Sequence, residues 1–173
     1  MKILLMGHPN VGKSVFFNRL TGSNVIESNY PGTTVDYTKG YMVLENRDIE
    51  VIDVPGTFSL EPKDKAEEVA VKMLEEEKDA IVVCVIDASK IERGLYLTLE
   101  IIEKGYPVII ALNMWDVAKD KNIEIDVKNL EKILEVPVIP TVAISGEGIK
   151  EVVSRIKEAK PVKIKNIIKN VGG

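Results

Sequence analysis

Short apolar runs alternate with amphipathic segments along the chain, and this alternation predicts an α/β fold with a mostly parallel sheet. Four of the runs are apolar on consecutive residues, as expected of central strands that are buried on both faces. The residues Asn46-Arg47-Asp48 predict a turn that joins the second and third strands into a hairpin. Six strands are predicted, over residues 3–6, 37–44, 50–54, 80–86, 108–112 and 138–142.

The segments between these strands have apolar residues at helical spacing, so each helix is expected to bury one stripe against the sheet. A first helix is expected from Lys13 to about Thr21, ended by Gly22. Two segments, 22–36 and 55–65, have no period, and loops of this length inside an α/β domain are usually functional or mobile. The predicted stripes are Ala66, Val69, Ala70, Met73 and Leu74; Leu95, Thr98, Leu99 and Ile102; Val127, Leu130 and Leu134; and Ile149, Val152, Val153 and Ile156.

Length and composition limit what the chain can be. Its 173 residues suit one domain, which we expect over residues 1–159, followed by a basic tail or linker over residues 160–173. The net charge of −4 argues against a nucleic-acid partner. The apolar runs are strand-length, far short of the roughly 20 residues of a membrane span, so the chain itself is expected to be soluble. A single cysteine, Cys84, and a single histidine, His8, exclude an intramolecular disulfide and disfavour a zinc site.

The clearest chemical motif is Gly7-x-x-x-x-Gly12-Lys13-Ser14, which follows a predicted strand and opens a predicted helix. In this context the glycine-rich backbone cradles phosphates at the positive end of the helix dipole. Lys13 is expected to reach the β- and γ-phosphates, and the Ser14 hydroxyl to ligate Mg²⁺. The loop residues expected at the nucleotide are Asn10, Val11, Gly12, Lys13, Ser14 and Val15.

A phosphate loop leaves both ATP and GTP open, and the segment Asn113-Met114-Trp115-Asp116 favours guanine. It follows the fifth predicted strand, at the sheet edge where open α/β sheets bind ligands. A carboxylate there accepts from the ring N–H and the exocyclic amine of guanine, a donor pair that adenine lacks. The segment Val142-Ala143-Ile144 after the sixth strand is expected to present the Ala143 N–H to the guanine oxygen.

Two further segments fit the γ-phosphate and its metal ion. Asp53 ends the third predicted strand, where its carboxylate can hold a Mg²⁺-bound water, and Gly56 frees a backbone N–H to turn toward the γ-phosphate. Thr34, in the first aperiodic segment, is expected to complete the Mg²⁺ shell. The order of both loops would then depend on the γ-phosphate. The expected fold is therefore a P-loop NTPase of the Ras-like small GTPase type.

The motifs together resemble a translation-factor-class small GTPase domain, most closely the cytoplasmic G domain of the ferrous iron transport protein B family. Most of the matching residues are shared widely among GTPases. The segment Glu92-Arg93-x-Leu95-Tyr96-Leu97-Thr98 and the Asn-Met-x-Asp form of the guanine motif are specific to that family. The matching stretches are residues 7–18, 29–35, 53–60, 85–99 and 111–116.

The resemblance implies a role for each matching position. Ser14 and Thr34 become direct Mg²⁺ ligands and Asp53 an indirect one, and Asn113, Met114, Asp116 and Ala143 lie at the guanine. Asn10 matches the position that helps to bind an activating K⁺. The catalytic set is then Lys13, Thr34, Gly56 and Asn10. Thr57 stands where Ras-like enzymes carry the water-orienting glutamine, so a monovalent cation would offset charge that develops between the β- and γ-phosphates. His8 and Tyr30 replace the family's usual asparagine and tryptophan.

The same resemblance implies a larger protein. In the family, a helical regulatory domain and a multi-span membrane domain follow the G domain, so this chain is expected to be a fragment: the cytoplasmic GTPase switch of an Fe²⁺ transporter in the inner or cell membrane, slow and K⁺-stimulated. Self-association is left open. The alternatives are a stand-alone RNA- or ribosome-associated assembly GTPase, which would need a basic RNA-binding module, and an ATPase. Direct iron binding lacks a convergent set of ligands.

Overall fold

A computed structural model describes residues 1–22 and 24–172, which form a seven-stranded sheet with helices on both faces. The strand order is β2-β3-β4-β1-β5-β6-β7. The strands are β1 (Lys2–Met6), β2 (Ile26–Asn29), β3 (Asp36–Leu44), β4 (Arg47–Asp53), β5 (Ile81–Asp87), β6 (Val108–Asn113) and β7 (Val138–Pro140). The helices are α1 (Lys13–Thr21), α2 (Lys65–Glu76), α3 (Ile91–Glu103), α4 (Trp115–Asp120), α5 (Val127–Leu134), α6 (Ile149–Arg155) and α7 (Ile164–Gly172).

Five neighbouring strands, from β4 through β1, β5 and β6 to β7, pair in parallel, and β3 and β2 extend the sheet in antiparallel fashion beside β4. The central strands are apolar on consecutive residues because both of their faces are covered. In β1, Leu4 and Met6 contribute to the core under α2 and α3, whereas Ile3 and Leu5 contribute to the core under α1 and α6.

The sheet has one strand more than the six predicted, because β2 lies within the segment 22–36 that has no sequence period. Its sequence, Ile-Glu-Ser-Asn, has one apolar residue, and Ile26 is half exposed. Strand β2 is held by backbone pairing to β3 alone, at the edge of the sheet. An edge strand of this kind carries no alternating apolar pattern, so hydrophobic periodicity cannot reveal it.

The predicted hairpin is confirmed as the pair β3 and β4, with a turn one residue earlier than expected. Glu45 and Asn46 have φ values of 51° and 61°, as required at both central residues of a two-residue type I′ turn. Arg47 pairs with Leu44 and therefore already belongs to β4. The asparagine was a correct turn signal, but the register of the two strands decides which residues form the loop.

The segment expected as a basic tail or linker contains helix α7. Ile167 and Val162 are buried in the core under α2 and α3. The Asn170 side-chain amide donates to the Ile133 carbonyl and to the Glu135 carboxylate, both at 2.9 Å. These contacts attach α7 to α5 and to the residue that follows it. The division of the chain into a domain over residues 1–159 and a tail over residues 160–173 stays a prediction.

None of the helices in residues 1–22 and 24–172 combines the length and the apolar character that crossing a bilayer would need.

Gly94 marks the closest approach of α3 to the sheet. A Cβ atom at this position would lie 2.5 Å from Cγ2 and 2.8 Å from Cγ1 of Ile86 in β5. Both distances are well inside van der Waals contact, so only glycine allows α3 to pack at this depth. Gly94 occupies the unspecified position of the segment from Glu92 to Thr98, and the packing of α3 against β5 requires glycine there.

We expect Gly94→Ala to destabilise the protein by about 1–2 kcal/mol. In an exposed helix this change would stabilise by about 1 kcal/mol, but overpacking a core contact usually costs about 1–3 kcal/mol. Urea unfolding of Gly94→Ala, Ile86→Ala and the double variant measures the effect. The free energy of unfolding of the double variant should fall by less than the sum of the decreases in the two single variants, because alanine at position 86 removes both clashing carbons. A Gly94→Ala protein at least as stable as the parent would contradict the packing argument.

Candidate functional site

The candidate site lies along the edge of the sheet where the parallel strands end. The phosphate loop follows β1, Asp53 ends β4, Asn113 ends β6, and the 141–144 loop follows β7. Parallel strands bring their carboxyl ends to one edge, which is where ligands bind in open α/β sheets. The topology therefore brings together motifs that are more than 100 residues apart in sequence.

The phosphate loop forms the wall of a cavity of about 350 Å³ at the N-terminus of α1. Asn10 and Gly12 have φ values of 65° and 84°, the left-handed conformation that turns the chain sharply before the helix. A side chain at Gly12 would collide with the Asn113 amide nitrogen. The cavity is lined by His8, Pro9, Asn10, Gly12, Lys13, Ser14, Val15 and Gly56.

Lys13, Ser14 and Asp53 form one cluster beside this cavity. The Lys13 ammonium makes an ion pair with the Asp53 carboxylate, and their side chains are only 10% and 12% exposed. The same ammonium donates to the Val54 carbonyl at 2.5 Å. The Ser14 hydroxyl lies 3.5 Å from the other Asp53 oxygen. A hydroxyl and a carboxylate are oxygen donors of the type that Mg²⁺ prefers, next to a cation suited to phosphate.

The two aperiodic segments lie differently relative to this cluster. Gly56 packs against Pro9 of the phosphate loop, so that a Cβ there would lie 3.1 Å from the Pro9 nitrogen, and the Thr57 N–H donates to the Gly7 carbonyl at 3.0 Å. Thr34 is exposed, and within the part of the chain that the structure describes no hydrogen bond joins it to Ser14 or Asp53. The structure therefore brings Gly56 to the phosphate loop and leaves Thr34 outside the cluster.

The Thr57 side chain is fully buried and its hydroxyl is already bonded. It lies 2.8 Å from the Ser59 carbonyl and 2.9 Å from the Glu67 carboxylate. Glu67 also accepts the Phe58 N–H at 2.8 Å, and this backbone bond is the main reason why the pKa of Glu67 is lowered. Sequence reasoning missed Glu67. The spacing Asp64-x-x-Glu67 is a helix-capping signal, but it reveals only the start of α2.

His8 connects the phosphate loop to the same segment. Its ring packs edge-on against Phe58, with ring centroids 5.0 Å apart, and its Nε2 is buried without a hydrogen-bond partner among the described residues. Burial, assisted by the charge of Arg93, lowers the pKa of His8, although the Phe58 backbone and Glu67 act in the opposite direction. The lowered pKa favours the neutral imidazole at neutral pH, so the ring stands at the cavity wall without a charge.

The Asn113 side chain joins the phosphate loop to the loop after β7. Its amide N–H donates to the Val11 carbonyl at 2.8 Å, and its oxygen accepts from the Thr141 hydroxyl at 3.1 Å and from the Ala143 N–H at 3.0 Å. Asn113 is buried, and Asp116 is exposed in the first turn of α4. Asn113 therefore supports the loops around the site, whereas the Asp116 carboxylate is accessible from solvent.

The loop after β7 is also held by a residue that the sequence did not indicate. The Arg19 guanidinium of α1 donates to the Ala143 carbonyl at 2.9 Å and to the Ile144 carbonyl. Val142 is buried, whereas the Ile144 side chain is 78% exposed. The expected role of the Ala143 N–H at guanine stays a prediction, because in this structure it donates to Asn113. Nothing in the spacing of Arg19 on α1 signals its contact with this loop.

A metal centre built from grouped histidine, cysteine and carboxylate side chains finds no support in the described residues, and neither does a reactive thiol. Within residues 1–22 and 24–172, no three histidine, cysteine, aspartate or glutamate side chains are grouped as metal ligands. Complete burial raises the pKa of Cys84 to about 12, so its thiol is an inert part of the core.

Comparison with protein families and known proteins identifies relatives of this chain. The family model for ferrous iron transport protein B matches residues 1–156. The Fe(2+) transporter FeoB of Leptospira biflexa is 41% identical over 153 residues, which are 86% of this chain and 22% of that protein. The Fe(2+) transporter FeoB of Escherichia coli K12 is 39% identical over 154 residues, 87% of this chain and 20% of that protein. The chain thus spans about a fifth of the length of these curated relatives.

Solved structures of similar fold come from the same family. The cytosolic domain of L. pneumophila FeoB has a TM-score of 0.87 and 39% identity, and the match covers 94% of this chain and 70% of that one. The cytosolic domain of the T. maritima FeoB iron transporter in its GMPPNP form has a TM-score of 0.84 and 39% identity, with 91% and 63% covered. A mutant of S. thermophilus NFeoB bound to GDP has a TM-score of 0.86 and 38% identity, with 93% and 63% covered.

The predicted fold class is confirmed by these structures, with the additional edge strand β2 as the one difference in strand number. The family model matches most of the chain, and the relatives named above are about 40% identical to it. Both findings identify the same family. This chain belongs to the ferrous iron transport protein B family.

Proposed function

We propose that this chain binds GTP with Mg²⁺, hydrolyses it to GDP and phosphate, and acts as the nucleotide-dependent switch of an Fe²⁺ transporter. The observation that carries the proposal is the cluster of Lys13, Ser14 and Asp53 beside the phosphate-loop cavity. The GDP-bound and GMPPNP forms of its structural relatives support a guanine nucleotide as the ligand.

The phosphates would lie on the loop between Gly7 and Ser14. Lys13 would exchange its ion pair with Asp53 for the β- and γ-phosphates. Ser14 and Thr34 would hold Mg²⁺ directly and Asp53 through a water, and the bound ion would supply charge neutralisation between the phosphates. Because Thr34 is exposed and unbonded to Ser14 in this structure, its loop has to move inward to take part.

The guanine base would lie between the Asn113–Asp116 segment and the loop after β7. Asp116 supplies the exposed carboxylate for the ring N–H and the exocyclic amine. Asn113 is committed to Val11, Thr141 and Ala143, so it acts chiefly by holding both walls of the base site. Met114, in the left-handed conformation with φ of 57°, and the segment 142–144 form the remaining surface at the base.

Hydrolysis requires that an attacking water be oriented and that developing charge be offset. Thr57 is fully buried with its hydroxyl bonded to Glu67, so it does not orient a water in this arrangement. In addition to Lys13, we propose Thr34 and the Gly56 N–H as the groups of this chain that contact the γ-phosphate. Asn10 lines the cavity and is exposed, so its side-chain oxygen fits the site of an activating K⁺, which would supply positive charge between the β- and γ-phosphates.

The transport role concerns a longer protein. The curated relatives are Fe(2+) transporters, and the matched residues make up only 22% and 20% of their length. The proposed partners are therefore the helical regulatory and transmembrane portions of the same protein, with this domain at the cytoplasmic face of the membrane. The nucleotide state of the domain would control passage of iron through the attached portion.

Asp116→Asn tests the base assignment. The variant should bind GDP about 100-fold more weakly, because a charge-assisted pair of hydrogen bonds is worth about 1.5–3 kcal/mol. Competition of GTP and ATP against a fluorescent GDP analogue measures the affinities. Asp120→Asn, the same change at an exposed position of α4, is the matched control and should bind as the parent does. Equal competition by ATP and GTP against the parent protein would overturn the guanine assignment.

Asn10→Ala and Asn10→Gly test the K⁺ role. We expect the parent to hydrolyse GTP about tenfold faster in KCl than in NaCl, since a bound cation stabilises the developing charge. Both variants should lose this difference. Glycine adopts the left-handed φ of Asn10 without strain, so Asn10→Gly isolates the side chain from the backbone. Equal parent rates in the two salts would remove K⁺ from the mechanism and leave the GTPase assignment intact.

A further inference from the structure

The loop that carries Thr34 is closed by the main chain of Tyr30. The Tyr30 N–H donates to the Val35 carbonyl at 2.9 Å. The Tyr30 carbonyl accepts from the Thr33 N–H at 3.0 Å and from the Thr33 hydroxyl at 2.9 Å. Thr34 therefore stands between two residues that are both bonded to Tyr30, and a displacement of Tyr30 displaces Thr34.

The side chain of Tyr30 attaches this loop to α2. Its hydroxyl donates to the Glu76 carboxylate in the last turn of the helix. This hydrogen bond, followed by burial, raises the pKa of Tyr30 to about 12, so the phenol remains a donor at neutral pH. Beside the contact lies a cavity of about 460 Å³, bordered by Tyr30, Pro31, Met73 and Glu76 among others. The Tyr30 and Val35 side chains pack against the core next to this cavity, and the Tyr30 hydroxyl adds a hydrogen bond from the loop to the end of α2.

Helix α2 is a fixed support for this contact. Val69, Ala70, Met73 and Leu74 bury its inner face in the core. At its other end, Glu67 holds the segment that follows Gly56 through the Thr57 hydroxyl and the Phe58 N–H. Because α2 is anchored along its length, the 30–35 loop is the element that moves when the contact with Glu76 breaks.

We propose that Glu76 is a positioning residue for Thr34: through the Tyr30 hydroxyl it holds the 30–35 loop in the arrangement where Thr34 lies outside the phosphate site. The inference rests on the proposed GTPase function. A contact made in one of two arrangements stabilises that arrangement, so the Tyr30–Glu76 bond disfavours entry of Thr34. GDP binding does not need Thr34, whereas binding of the γ-phosphate with Mg²⁺ does. The contact therefore lowers the preference for GTP over GDP.

Tyr30→Phe and Glu76→Gln test this inference. Tyr30→Phe removes only the hydroxyl, and Glu76→Gln removes only the charge of the acceptor. The measured quantity is the ratio of the affinities for a non-hydrolysable GTP analogue and for GDP, both with Mg²⁺. Tyr30→Phe should raise this ratio by about two- to tenfold, the range expected for loss of one net hydrogen bond. Glu76→Gln should raise it less, because the glutamine amide oxygen still accepts a hydrogen bond, although without the help of charge. In the double variant, the affinity ratio should rise by no more than the larger of the two increases in the single variants. Glu75→Gln, the same change at the exposed neighbouring position, should leave the ratio unchanged.

A ratio that stays the same or falls in both variants would overturn the inference, and damage to the fold lowers both affinities rather than raising one. A second measurement does not depend on nucleotide. Urea unfolding of the nucleotide-free parent, the two single variants and the double variant should show a coupling between Tyr30 and Glu76. Absence of coupling would also refute the proposal. Failure of the parent to bind either nucleotide would instead refute the proposed function, and the unfolding cycle would still report on the contact.

Discussion

The buried side-chain amide of Asn113 is the contact on which the geometry of the site depends. It joins the phosphate loop at Val11 to the loop after β7 at Thr141 and Ala143. A buried amide must have its hydrogen bonds satisfied, since each one left open costs about 1–3 kcal/mol. Two loops more than 100 residues apart are therefore fixed to each other by one side chain. The absence of a side chain at Gly12 is part of the same arrangement, because a Cβ there would collide with the Asn113 nitrogen.

Most of the fold was predictable because burial on both faces leaves a direct mark on the sequence. The central strands, the hairpin and the apolar faces of the helices follow from runs and periods of apolar residues. Strand β2 escaped because an edge strand with exposed side chains is defined by backbone pairing alone. Helix α7 escaped for a related reason. Its lysines suggest an unattached tail, and only the position of Ile167 against the core shows that one face is buried.

The candidate site was predictable only as far as its motifs. Residues that would touch phosphate or base recur at fixed spacing from glycines and strand ends, so Lys13, Asp53 and Asp116 could be identified from the sequence. Arg19 and Glu67 instead bind backbone groups of neighbouring loops, at Ala143 and Phe58 respectively. A backbone carbonyl or N–H leaves no trace in the sequence, so such partners are visible only in three dimensions. For the same reason Asn113 was expected at the base, whereas its polar atoms are engaged within the protein.

The ion pair between Lys13 and Asp53 links nucleotide binding to charge balance. Both side chains are nearly buried, and removing one partner from such a pair usually costs about 3–5 kcal/mol. In the proposed GTP complex Lys13 turns from Asp53 to the phosphates, so the carboxylate must receive another positive charge at the same time. A phosphate group alone would satisfy Lys13 and leave Asp53 unpaired. A nucleotide that brings a divalent cation would restore the balance, so in the proposed complex Asp53 would favour the metal-bound nucleotide even without touching the metal.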